Sequence, residues 1–268
     1  MNATCDVEEI ELQHGVRVRI VHDEAVHEAD PRNTAGHLGR MVTFHRKYRL
    51  GDAHEYQHPG EFWRDLLQQL TLAQLQPVLA KMLEDPHTAA DYRRWMEDVP
   101  GGQRDDYTLD FLFRGGSGGA TSAGGYGPGV IETAMSVLAE AGWVILPLYL
   151  YDHSGLAMST HPDSFRAQDP GRWDWAQVGW ICASPQAIAH EKLTFQQARH
   201  ALEAEVRRYN LFLQGEVYGC VVQTPDDASA QTCWGILGLD HAREVALDMG
   251  RPYEARYGDP DRTRGEHI

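Results

Sequence analysis

Cysteine is scarce in this chain: Cys5, Cys182, Cys220 and Cys233 are the only four among 268 residues, and no two share a C-x-x-C spacing. That excludes a disulfide-stapled scaffold and leaves no zinc-ribbon or dithiol motif. Long apolar runs are missing too. The longest, Trp143 to Tyr151, has nine residues, whereas a membrane-spanning helix needs roughly 20. The opening MNATCDVEEIELQ has neither a basic n-region nor an apolar h-region, so no secretory leader is expected. These absences point to a cytoplasmic protein with reduced thiols and no membrane partner.

Positive charge is also in short supply. Lysine and arginine total 24 against 39 aspartates and glutamates, a net charge of −15, and Lys47, Lys81 and Lys192 are the only lysines. General nucleic-acid binding is disfavoured, because that affinity comes from Lys and Arg displacing phosphate counterions. The acid is unevenly spread. Residues 1–30 carry Asp6, Glu8, Glu9, Glu11, Asp23, Glu24, Glu28 and Asp30 against Arg17 and Arg19. Residues 31–64 reverse the sign, with Arg32, Arg40, Arg46, Lys47, Arg49 and Arg64 against Asp52, Glu55 and Glu61. Acid returns between Glu84 and Asp110. Patches of this kind steer partners.

What is present is a chain with 42% hydrophobic residues, enough to build a core without staples. VRVRIV at 16–21 alternates with period two and reads as a half-buried strand, with Met41–Phe44 as its short neighbour. From Glu61 the apolar residues Phe62, Leu66, Leu70, Leu75, Leu79 and Met82 recur at helical spacing. Thr71 and Gln74 form a capping box for a second helix, which Pro77 is placed to kink. A further helix covers Thr88–Met96. The eight glycines of 115–129 (GGSGGATSAGGYGPG) exclude a regular element there and indicate a loop; lacking the Lys-Ser/Thr of a P-loop, it is a poor phosphate cradle. After it come a helix from Val130 to Ala141, strands at Trp143–Tyr151 and Gln177–Ala183, and a long amphipathic helix opened by the capping box Thr194/Gln197 and stopped by Gly215. Strands at Glu216–Gln223 and Thr232–Leu237, a helix at His241–Met249 and a mobile polar tail from Arg251 complete the chain.

No regular β-α-β alternation and no internal repeat appear, so the fold class is α+β, a mixed or antiparallel sheet flanked by helices, with a helical insertion. The expected divisions are an N-terminal strand region of the main domain (1–60), the helical insertion (61–114), the glycine-rich loop (115–129), the main α+β domain (130–250) and the tail (251–268).

The strongest chemical feature is the apolar run 147–151 ending in Asp152, His153, Ser154 and Gly155. Polar groups at the end of a buried strand are fixed by the sheet yet reachable from solvent. Asp152 and His153 point to opposite faces of a straight strand, so joint action requires the chain to turn there, and Gly155 supplies the turn. Asp152, His153 and His45 are the candidate catalytic residues. Asp152, His153 and His161 are the candidate ligands for a divalent metal, the one cofactor envisaged. His22 and His27, five apart, turn about 140° from each other on a helix and make no zinc pair. Phe44–Arg49 (FHRKYR) is the one concentrated basic and aromatic stretch, suited to an anion or to internal ion pairs.

The blocks Asp30–Arg32 (DPR), Leu38–His45 (LGRMVTFH), Tyr48–Asp52 (YRLGD), Leu148–Gly155 (LYLYDHSG), Trp173–Asp174, Gln177–Trp180 (QVGW), Gly215–Gly219 (GEVYG) and Cys233–Gly235 (CWG) together resemble a largely uncharacterised family of bacteriophage and mobile-element proteins. The chain departs from that pattern at Asn33–His37 and at Trp175–Ala176. The resemblance implies an accessory product acting on a host cell. Arg32, Arg49, Asp52, Trp173 and Asp174 are the candidate ligand-binding residues. The leading expectation is a protein that binds and counteracts a host factor, such as a restriction or defence protein, through acidic surface patches. The rivals are a metal-dependent hydrolase or nucleotide-processing enzyme using Asp152 and His153, and a sponge for a small ligand.

Overall fold

The computed structural model describes residues 6–114 and 126–258. In chain order the elements are β1 (Asp6–Glu11), β2 (Arg17–His22), β3 (Arg40–Thr43), α1 (Pro59–Leu67), α2 (Leu72–Met82), α3 (Pro86–Met96), α4 (Arg104–Arg114), α5 (Pro128–Glu140), β4 (Val144–Asp152), β5 (Leu156–Ser159), β6 (Trp175–Ala183), α6 (Pro185–His190), α7 (Phe195–Leu213), β7 (Val217–Gln223), β8 (Gln231–Leu237) and α8 (Leu239–Gly258). The strands form two antiparallel four-stranded sheets, β1-β2-β7-β8 and β3-β6-β4-β5. The fold is α+β.

The β3-β6-β4-β5 sheet is covered on both faces. On one, Met41, Val144, Leu146, Leu148, Leu150 and Ile181 pack against α7. That helix buries Ala198, Leu202, Val206 and Tyr209, spaced by four, four and three residues, the apolar stripe expected of one helical face. Burying each Leu or Val contributes roughly 1.5–3 kcal/mol. On the other face Val42, Trp180 and Cys182 meet α1, α2, α4 and α5, with Phe62 and Trp63 fully buried around Trp180. The helical segment 61–114 therefore packs as one wall of this sheet. The β1-β2-β7-β8 sheet carries α8 on one face, where Val18, Ile20, Cys220 and Val222 meet Ala242, Ala246 and Met249.

Both expected capping boxes form: Thr71 with Gln74 and Thr194 with Gln197 satisfy each other's free amides reciprocally. Helix α2 runs through Pro77. Two expectations are corrected. β3 is not a neighbour of β2 but pairs with β6 in the other sheet; β2 lies between β1 and β7. The chain from Arg251 does not begin a tail, since α8 continues through Pro252 to Gly258. β1, β5 and α6 are too short or too polar to show a clean period in sequence, and α4 falls inside the helical region expected over 61–114. Of the glycine-rich loop expected over 115–129, Pro128 and Gly129 open α5, while residues 115–125, the residues beyond Gly258 and Cys5 lie outside the described residues.

Backbone proximity explains one glycine. A Cβ on Gly179 of β6 would stand 2.0 Å from the carbonyl oxygen of Val42, so only glycine lets β3 lie this close. Pro147, which has no amide proton, sits in the half of β4 that pairs with β6 but that β5 does not reach, the position where a sheet tolerates proline.

Candidate functional site

β4 and β5 form a hairpin through His153, Ser154 and Gly155, the turn that the sequence required. At its tip the candidate residues separate into two ion pairs. The Asp152 carboxylate receives Lys47 Nζ at 3.1 Å and the Tyr48 hydroxyl at 3.3 Å. The hydrogen bond from Lys47 holds the Asp152 carboxyl below its usual range, and the same bond raises the Lys47 ammonium. His153 Nδ1 lies 2.9 Å from Asp174 Oδ2, and Asp174 is opposite Asp152 across the strands, accepting its amide at 2.8 Å. His45 stacks flat on Tyr48, ring centres 5.1 Å apart. Folding thus gathers His45, Asp152, His153 and Asp174 at one end of the sheet.

The arrangement does not join Asp152 and His153 into one acid/base pair, because each turns to a different partner. His161 is not there at all. It follows β5, whose end pairs with Tyr149 rather than Asp152, and its Nε2 lies 4.0 Å from Glu203 on α7. The expected metal set of Asp152, His153 and His161 is therefore not assembled, and among the described residues no three His, Cys, Asp or Glu side chains gather as metal ligands. Trp173 stands 89% exposed beside the hairpin tip, its ring over Gly171.

Arg32 and Asp52, expected to meet a ligand, face inward. The Arg32 guanidinium is 2% exposed. It donates to Asp52 through Nε (2.8 Å) and Nη2 (2.6 Å), to Glu205 Oε2 through Nη1 (2.8 Å) and to the Gly39 carbonyl (2.7 Å). Burial by itself would lower its pKa, but hydrogen bonds and charge from Asp52 and Glu205 outweigh that and raise it. Glu205 also accepts the amides of Leu38 (2.7 Å) and Gly39 (3.2 Å), and Asp52 that of Met41 (2.7 Å). With its donors turned to these partners Arg32 is a clamp tying the 30–52 segment to α7, and its reading as a ligand-binding residue is corrected. Glu205 was missed because a glutamate on a helix gives no local sign that it points inward.

Arg49 lies on a different cavity, of about 620 Å³, walled by the loop between β3 and α1. A second hollow, of about 590 Å³, opens beside the acidic turn 23–29 and is bounded by Glu24, Glu28 and Trp234. Asp23 anchors that turn by accepting the amides of Ala25 and Gly235, both at 2.9 Å. Gly235 adopts φ +75°, and the register shifts between Tyr218 and Cys220, so Trp234 lies across Gly219, where a Cβ would stand 2.2 Å from its ring. The indole remains 49% exposed. No pattern around Cys233–Gly235 announced this, since exposure of Trp234 follows from a shift in strand register.

The acidic N-terminal segment is also more nearly neutral than its composition implies. Asp6 pairs with Arg19, Glu9 and Glu11 with Arg17, and Glu8 with Arg243. Asp23 and Asp30 hold backbone amides. The outward acid that is left is at Glu24 and Glu28, the latter 3.9 Å from His27. No described helix is long and apolar enough to cross a membrane. Neither protein-family models, nor curated proteins, nor solved structures match this chain.

Proposed function

We propose that this protein works by binding a basic segment of a partner protein in the hollow between the 23–29 turn and Trp234. The observation that carries the reading is the juxtaposition of Glu24 and Glu28 with a half-exposed indole. A partner arginine can lie over the ring face while its fork meets a carboxylate, and both interactions favour a planar cation. Tryptophans on such surfaces commonly dominate binding energy. In the mobile-element setting that the sequence resemblance implies, the partner is a host protein whose basic surface otherwise grips nucleic acid, and occupying it counteracts the host factor.

The test is capture of partners from host lysate on the immobilised protein, with identification, followed by titration of the purified partner. Glu24→Lys with Glu28→Lys, and separately Trp234→Ala, should each weaken binding by at least about tenfold, and added salt should weaken the wild-type complex. A partner bound equally well by all three proteins would overturn the reading.

A further inference from the structure

The loop between β3 and α1 encloses a second feature, of opposite character to the acidic hollow and sharing no lining residue with it. Its cavity of about 620 Å³ is lined by Arg46 and Arg49, by the aromatic residues His45, Tyr48 and Tyr56, and by His54, among others. That volume lies within the range of small-ligand sites. Among the described residues neither arginine has an ion-pair or hydrogen-bond partner, although the chain carries a large excess of acid. The one carboxylate on the wall is Asp52, and both its oxygens are already taken by Arg32 and the Met41 amide. The charge facing the cavity is consequently positive.

His54 is held in place by the backbone of β3. Its Nε2 lies 2.9 Å from the Thr43 carbonyl oxygen, and a carbonyl only accepts, so Nε2 carries the proton. In the neutral ring Nδ1 is then a bare acceptor, and it is buried without a hydrogen-bond partner. Sealed from solvent, Nδ1 is out of reach of anything in the cavity, so His54 contributes wall surface and no hydrogen bond to a ligand. The remaining walls offer flat rings: His45 and Tyr48 lie parallel, 6° between planes, and Tyr56 carries the Arg40 guanidinium 5.1 Å from its centre.

We infer that this cavity is a binding site for a mononucleotide, a ligand that combines the two chemistries on its wall, cationic and aromatic. The phosphate meets Arg46 and Arg49, whose planar forks suit phosphate oxygens. The base packs against the aromatic rings, where stacking is sequence-tolerant. The site is separate from the Trp234 hollow, so each stands or falls alone.

Isothermal titration of the full-length protein with each of the four ribonucleoside monophosphates tests it, with adenosine and inorganic phosphate as part-ligands. At least one nucleotide should bind at a single site, more tightly than either part-ligand. Arg46→Gln and Arg49→Gln, singly and together, change exposed side chains and leave the fold intact by circular dichroism; the double variant should lose at least about tenfold in affinity. Tyr48→Ala should weaken the nucleotide but not inorganic phosphate. Absence of binding at millimolar nucleotide, phosphate binding as tight as any nucleotide, or full affinity in the double arginine variant would each overturn the proposal.

Discussion

Arg32 and Asp52, twenty positions apart, face each other through two hydrogen bonds, 2.8 Å from Nε and 2.6 Å from Nη2, with the guanidinium sealed from solvent. The pair is completed by Glu205 from α7, 173 positions beyond Arg32. Because both carboxylates also hold backbone amides, the cluster sets the path of the chain from Pro31 to Asp52 as well as neutralising charge. Removing one member leaves the others buried and unmatched, a loss of about 3–5 kcal/mol. Arg32→Met should therefore lower the urea midpoint strongly. Arg32→Lys should rescue little, since an ammonium cannot reproduce the two-pronged contact. Unchanged midpoints in both variants would show the clamp to be dispensable.

At the hairpin tip the sign of the pH effect follows from Asp152. Its carboxyl is held below the usual range by the hydrogen bond from Lys47. A group with a lowered folded-state pKa contributes stability above its unfolded value and loses it as pH falls through the folded value. The Asp152–Lys47 pair is thus intact at neutral pH and opens only in acid. Lys47→Met should move the Asp152 titration upward, toward the ordinary aspartate value, as followed by carboxyl-carbon NMR. Because Lys47 is largely exposed, global stability should change little.

Burial pushes the Cys182 thiol up to about 12 and the Cys220 thiol to about 11. Thiolate is the reactive form, so both should resist iodoacetamide in the native protein at pH 8 and react on unfolding. Cys233, partly exposed on β8, should label before either of them. Peptide mapping after a timed pulse distinguishes them, and early modification of Cys182 would contradict the packing of β6 against the helical wall.

Gly179→Ala would place a methyl group 2.0 Å from the Val42 carbonyl oxygen and 2.8 Å from the Thr43 Cα. Backbone cannot retreat as a side chain can, so β3 must shift from β6 at a cost of roughly 1–3 kcal/mol. A lowered melting temperature is expected, with faster amide exchange at Phe44, whose N–H bonds to the Val178 carbonyl at 2.7 Å. Alanine at Gly155, where nothing lies within 4 Å of the added atom, serves as the comparison and should be neutral.

Several features needed no tertiary information. The capping boxes at Thr71 and Thr194, the apolar stripe of α7 and the period-two run of β2 are local regularities, and local sterics and hydrogen bonding suffice to specify them. So does the turn after Asp152, since an apolar strand ending in polar residues and glycine has few alternatives. The α+β class followed from element order alone. Conversely, β1 and β5 are short, partly buried edge strands, and although each pairs with its neighbour in sequence, neither carries a clean period.

What the residues do was decided elsewhere. Arg32 and Arg49 look alike in sequence, two arginines in a basic stretch. One is locked against Asp52 and Glu205 and the other lines an open cavity, because α7 brings a carboxylate to one and not the other. The acids of residues 6–11 look like a binding patch until β2 and α8 set arginines opposite them. Sequence determined which groups are available and which local elements carry them. Tertiary structure alone decided which charges cancel inside the fold and which are left for a partner, because Coulomb and hydrogen-bond energies depend on separations and burial that exist only after the chain has folded.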